Sequence, residues 1–142
     1  RKTDPMTKPA EYLNPEGTAP AQGLYSHAGR APGGDLVMIA GQLSVSRDGA
    51  IVGVNDFEAQ FRQVFSNMKD VLTGIDLDFP HVMKFTTIFT RAEDIDLFMK
   101  LREETFPGFF GAQPYPPNTI LVVSRLVKPE FLFELEAVAS SA

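Results

Sequence analysis

Two carboxylates, Glu134 and Glu136, stand two positions apart in the stretch FELEAVA near the end of the chain. In an extended strand that spacing puts both on one face, roughly 7 Å from each other. A carboxylate in a poorly hydrated cleft has a raised pKa and can exchange a proton with water, which makes Glu134 the candidate general acid or base. Glu136 is expected to be structural, because spacing alone does not make a catalytic pair. Tyr25 could stack on a planar ligand, although a half-buried aromatic at that position needs none to be explained. Asn118 follows PYPP, in which prolines fill positions 114, 116 and 117. That stiff lead-in fixes where the amide stands, and the plain alternative is an Asn that only terminates a turn.

Other reactive residue types yield less. His27 follows Tyr-Ser and reads as a wet strand residue ahead of an acid or base. His81 stands just before a strand and is expected to be structural. The two histidines are far apart and have no clustered carboxylates, so no metal-ligand spacing is present. The chain has no cysteine, which removes disulfides, thiolate metal sites and thiol nucleophiles. Gly33-Gly34 fits no phosphate-loop pattern and reads as a turn. Glu93, Asp94 and Asp96 suit the positive N-terminus of a helix.

These side chains sit in a chain of 142 residues with a net charge of −5, 44% hydrophobic and 22% charged residues. That length supports one core. Residues 1–18 read as a mobile arm and residues 19–142 as a single domain. The negative balance without a basic cluster opposes phosphate-backbone binding, so no nucleic-acid partner is expected. The longest apolar runs, LVMIAG and TILVV, fall far short of a membrane span, and the expectation is a soluble, cytoplasmic protein with no membrane partner.

The positioning elements follow from pattern. LYSHAGRAPGGDLVMIAGQ reads as a β-hairpin turning at Pro32–Asp35, and a third short strand falls at Ile51 and Val52. An apolar stripe from Phe57 to Leu72 predicts a helix over 56–73, capped by Asn55 or Asp56, with Gly74 just past its end. HVMKFTTIFT predicts a buried strand over 81–90. A second helix is predicted over 94–105, closed by Pro107 and Gly108, and strands over 119–126 and 131–139 complete the chain. In the last strand Phe131, Phe133, Leu135, Ala137 and Ala139 share one face, and Leu132, Glu134, Glu136 and Val138 the other. A face mixing Leu and Val with two carboxylates suits a subunit interface, so a homo-oligomer is expected. The order of elements predicts an α+β layer pair, a mixed sheet with both helices on one face.

Several segments in this order, GLYSHA, LVMIAGQLSV, FEAQFRQVFSNMKDVL with HVMKFTTIFT, and FELEAVA, resemble the Rid family (RidA, also called YjgF) from Leu24 to Ala139. The resemblance implies a chorismate-mutase-like α+β fold and a homotrimer around a barrel-like core, with clefts between subunits. It also implies hydrolysis of imines and enamines to a 2-oxoacid and ammonia, without cofactor or metal. In the family's deaminases a Tyr packs beside the ligand, a Ser-Gly-Gln segment lines the cleft, a Glu on the last strand positions water, and an Arg after the proline-rich stretch grips the substrate carboxylate. Tyr25, Gly41, Gln42 and Glu134 match these positions. Ala40 stands in place of the Ser and Asn118 in place of the Arg.

An arginine holds a carboxylate through a charged fork, whereas asparagine offers a neutral hydrogen bond of about half that strength. Arg125, seven residues further along the predicted strand, would point to the opposite face. The substrate is therefore expected to be less anionic than a 2-iminoacid, or to have its carboxylate held elsewhere. The readings that follow are a small-molecule hydrolase, with Glu134 catalytic and Tyr25, Gly41, Gln42 and Asn118 binding substrate, or a binding module without chemistry. The family's older label of ribonuclease or translation inhibitor is opposed by the acidic charge.

Overall fold

Asp56 starts the longest helix. Its backbone is extended and its carboxylate accepts from the Ala59 N–H at 3.0 Å, so helix α1 begins at Phe57 and runs to Gly74. Phe57, Phe61, Val64, Phe65, Met68 and Leu72 are buried along one side, as the stripe predicts. Gly74 is the last helical residue and does not lie beyond the end. The left-handed residue that turns the chain is Asp76, at φ 64°.

The structure, a computed structural model, describes residues 8–141. Strands β1 (Glu11–Leu13), β2 (Ala28–Arg30) and β3 (Leu36–Gln42) precede α1; β4 (Val82–Phe89), α2 (Asp94–Phe110), β5 (Asn118–Val122) and β6 (Phe133–Ser140) follow it. The main sheet has the order β3-β6-β4-β5, antiparallel except for the parallel pair β4 and β5, which α2 connects. Both helices pack on one face of this mixed sheet. The core between them holds Phe85 and Phe89 of β4, Phe133 and Leu135 of β6, and the apolar sides of α1 and α2.

Several elements differ from the expectation. The predicted hairpin does not form: β2 pairs with β1, and β3 pairs with β6. β2 is too short to fill a ladder, while β3 gains the long partner whose alternate residues are buried. The predicted arm includes β1, fastened by a hydrogen bond from Ala10 N–H to Pro80 O (3.0 Å) and by the Tyr12 hydroxyl donating to Val82 O (2.7 Å); residues 1–7 lie outside the described residues. The second helix does not close at Pro107. It continues to Phe110 because Phe106, Phe109 and Phe110 pack on Phe65, Phe79 and Phe85, which outweighs the one backbone bond that proline removes. Ile51 makes only an isolated bridge to Val45.

The last strand alternates as expected. Phe133, Leu135, Ala137 and Ala139 are buried, while Glu134, Glu136 and Val138 face away from the helices. Met38 is 70% exposed and Leu121 45% exposed; by register both lie on that same uncovered face. No helix among the described residues is long and apolar enough to cross a membrane.

Candidate functional site

The proline-rich stretch is anchored before it reaches the site. Tyr115 is buried, with its ring edge-on to Phe106 and Phe110 and its hydroxyl donating to Gly111 O at 3.2 Å. Pro117 O accepts from Phe85 N–H at 2.9 Å, which sets Asn118 beside Phe85 at the start of β5. There Asn118 Oδ1 accepts from the Thr87 hydroxyl at 3.2 Å. The amide NH2 makes no hydrogen bond to a described residue.

Tyr25 lies across from it. The backbone around Tyr25 is pinned because Gly29 sits directly on β4: a Cβ at Gly29 would be 2.4 Å from Met83 O. The Tyr25 hydroxyl accepts from Gln22 N–H at 3.1 Å. Tyr25 and Asn118 together line two cavities. One, of about 240 Å³, is completed by Gln22, Met99, Arg102 and Ile120. The other, of about 480 Å³, opens toward Met83, Lys84 and Val138.

Gly41 and Glu134 form a second group, with Gln42 next along β3. Between Ile39 and Gln42 strand β3 sets two residues, Ala40 and Gly41, against one of β6, Glu136, which is a bulge. The Glu134 carboxylate lies over this bulge. A Cβ at Gly41 would be 1.7 Å from Glu134 Oε2, so only glycine leaves the carboxylate its place. Burial lifts the Glu134 carboxyl above the ordinary carboxylate range, and the nearby charge of Glu136 adds to the rise. Glu134 has no hydrogen-bond or ion-pair partner among the described residues. Gln42 turns its Nε2 back to Ala40 O at 3.0 Å. The segment beyond is held to α1 by Asn67, whose Nδ2 donates to Leu43 O and Val45 O.

In one chain the two groups do not share a cavity. Asn118 is in register with Phe85, on the helix side of the sheet, and Glu134 with Ile88, on the open side. The structure thus brings Tyr25 to Asn118, and Gly41 to Glu134, and keeps the two sets apart, while Gln42 is in register with Leu135 on the other face from Glu134. Arg125 lies beyond β5, exposed, with its guanidinium on Leu126 O and Val127 O; the strand predicted over 119–126 ends at Val122, so Arg125 has no strand face.

The histidines have local duties. His27 is exposed, its Nε2 at 2.5 Å from Ala19 O. His81 is buried and its Nδ1 accepts from Asp78 N–H at 3.0 Å, closing a capping box before β4. Asp94 forms a two-pronged pair with Arg91, at 2.8 and 3.0 Å, in the first turn of α2. Among the described residues no group of three or more His, Asp or Glu could hold a metal ion.

One residue beside the site escapes sequence reasoning. Arg102 falls on the apolar stripe of α2, four residues after Phe98, and is 1% exposed. Its position on that stripe is the available signal, since a cation on a buried face needs a reason.

The Endoribonuclease L-PSP family model matches residues 16–141. The chain is 31% identical to Protein DfrA of Myxococcus xanthus over 121 residues, covering 85% of this chain and 88% of that protein. It is also 31% identical to the RutC family protein YjgH of Escherichia coli over 120 residues, 84% of each. Among solved structures it superposes on the Rid-family protein YyfB of Yersinia pestis, itself of unknown function, with a TM-score of 0.82, 27% identity, and coverage of 94% of this chain and 99% of that one. With a family match over nearly the whole described chain, relatives 31% identical over more than four fifths of it, and two helices on a mixed sheet, this chain belongs to the Rid (YjgF, endoribonuclease L-PSP) family.

Proposed function

We propose that this protein hydrolyses imines or enamines of amino-acid-sized compounds, in a cleft where the Tyr25–Asn118 group of one copy meets the Gly41–Gln42–Glu134 group of another. The observation that carries this reading is Glu134: half-buried, without a partner among the described residues, raised in pKa, and lying over Gly41, where a side chain would displace it. The exposed apolar side chains on the same sheet face, Met38 and Leu121 among them, favour coverage of that face by further copies. A homotrimer is the assembly the family resemblance implies.

The chemistry needs one proton shuttle. Glu134 takes a proton from water as the water oxygen bonds to the imine carbon, and hands that proton to the imine nitrogen as the C=N π bond opens. The resulting carbinolamine then collapses: the C–N bond breaks, its hydroxyl proton passes by way of Glu134 to the nitrogen, and the carbonyl forms. Imine and water become carbonyl compound and ammonia. Tyr25 packs beside the planar C=N group, and Gln42, Asn118 and the Gly41 backbone orient the polar end.

A second reading is favoured by Asn118 itself, whose amide oxygen is already engaged by Thr87 and which brings no charge. On that reading the cleft binds a small metabolite without turning it over. A ribonuclease reading meets a net charge of −5.

The test generates imines in situ from several amino acids and measures ammonia release over the spontaneous rate. Accelerated release that falls about 10²-fold in Glu134→Gln supports the hydrolase. Acceleration that survives the substitution removes Glu134 from the mechanism, and binding without release leaves the second reading.

A further inference from the structure

Arg102 is the largest of the fully buried side chains and stands on α2 among apolar neighbours. Its guanidinium lies 5.1 Å from the Phe98 ring centre and 6.0 Å from that of Phe106. Nη2 donates to the thioether of Met99 at 3.1 Å, a weak acceptor. Nε and Nη1 are buried with no hydrogen-bond partner among the described residues. No carboxylate among the described residues pairs with it, whereas buried cations are ordinarily paired.

The surroundings keep space for a partner. Arg102 lines the 240 Å³ cavity together with Gln22, Tyr25, Met99, Asn118 and Ile120. Gly23 roofs the guanidinium so closely that a Cβ there would lie 2.8 Å from Nη2. The chamber is smaller than the roughly 300–1,000 Å³ of sites for drug-sized ligands, and so suits a compound of amino-acid size. Its walls combine an aromatic ring, an amide and a guanidinium whose Nε and Nη1 have no partner among the described residues, a group that recognises carboxylates.

We propose that Arg102 is the anchor for the carboxylate of a small 2-oxo- or 2-iminoacid, bound between α2, the Tyr25 segment and the first residue of β5. The charge missing at position 118 is then supplied from a different element, and Asn118 becomes the neutral neighbour of an anion held one layer deeper. This deepens the hydrolase reading and rests on it for the substrate class, while the binding event can be measured without turnover.

The probe is 2-oxobutanoate, with the neutral 2-oxobutanamide as its partner, titrated into the full-length protein while the Arg102 Nε–H signal is followed by NMR and the affinity by calorimetry. The expected result is a shift of that signal on adding 2-oxobutanoate, binding of the anion at least tenfold tighter than the amide, and loss of that preference in Arg102→Met. Arg102→Lys, which keeps the charge and loses the fork, should retain part of it. An unmoved Nε–H signal, or equal affinity for acid and amide, overturns the proposal in the wild-type protein even where Arg102→Met fails to fold. So does an Arg102→Met variant that changes oligomeric state by sedimentation while 2-oxobutanoate leaves the wild type untouched, because the fork is then paired by a neighbouring copy. Glu134→Gln separates the two readings: it should keep 2-oxobutanoate binding, and Arg102-dependent binding in a protein that releases no ammonia sustains the anchor while ending the hydrolase.

Discussion

Gln60 and Arg102 are both polar, both fully buried and each on the inner face of a helix, yet they have opposite surroundings. Gln60 spends its amide completely: Nε2 donates to Gly53 O and Glu130 O, each at 2.9 Å, and Oε1 accepts from Leu132 N–H at 2.9 Å. It ties α1 to the segment that feeds β6. Arg102 has five N–H donors, and the protein offers it a sulfur and two aromatic faces. A satisfied buried group is part of the scaffold, and a buried group left unsatisfied points to something the chain alone does not contain. Glu134 stands between these cases, half-buried and unpaired.

The contrast can be broken most forcefully at Gln60. Gln60→Ala strands two carbonyls and one N–H and opens a cavity, so unfolding in urea should show a loss of about 3–5 kcal/mol. A loss below about 1 kcal/mol would mean the network is dispensable. Next in size is Glu134→Gln, whose expected 10²-fold drop in kcat/KM corresponds to about 3 kcal/mol of transition-state stabilisation. Arg102→Met sharpens the comparison from the other side. Replacing an unpaired buried cation by an apolar side chain should leave the ligand-free protein within about 1 kcal/mol of wild type, or make it more stable. A loss as large as that at Gln60 would place Arg102 in the scaffold.

The smallest effect is a pH dependence at Glu134. Its folded pKa lies above the unfolded value, so between the two the folded state binds more protons, and the associated stability is present in acid and lost as pH rises through the folded pKa. Glu134→Gln, neutral at every pH, should therefore melt slightly higher than wild type at pH 7, by at most about 2 °C given the solvent exposure of the group. That advantage should disappear near pH 4, as differential scanning calorimetry can show. kcat/KM of the wild type should fall as acid protonates the base.

Much of this layout is legible in the sequence, for local reasons. The stripe of α1 and the alternation of β6 each report a single buried face, and Asp56 announces its cap. What fails is non-local. Nothing within residues 24–42 says that β3 prefers a partner a hundred positions away, or that β2 belongs with β1. Pro107 and Gly108 are honest stop signals overruled by three phenylalanines that follow or flank them. Tyr25 and Asn118 do meet, as do Gly41 and Glu134, but their separation by the thickness of the sheet depends on strand register. Arg102 is hidden for a related reason, because a helix that reads as half apolar tolerates one cation on paper, and only packing shows how deeply it is buried.

Tyr25 and Asn118 are shared walls of two chambers. A shared wall cannot swing toward one room without enlarging the other. An occupant against β2 that displaced the Tyr25 ring would change the space left beside α2, and by reciprocity an occupant beside α2 that held the ring would alter what can settle outside.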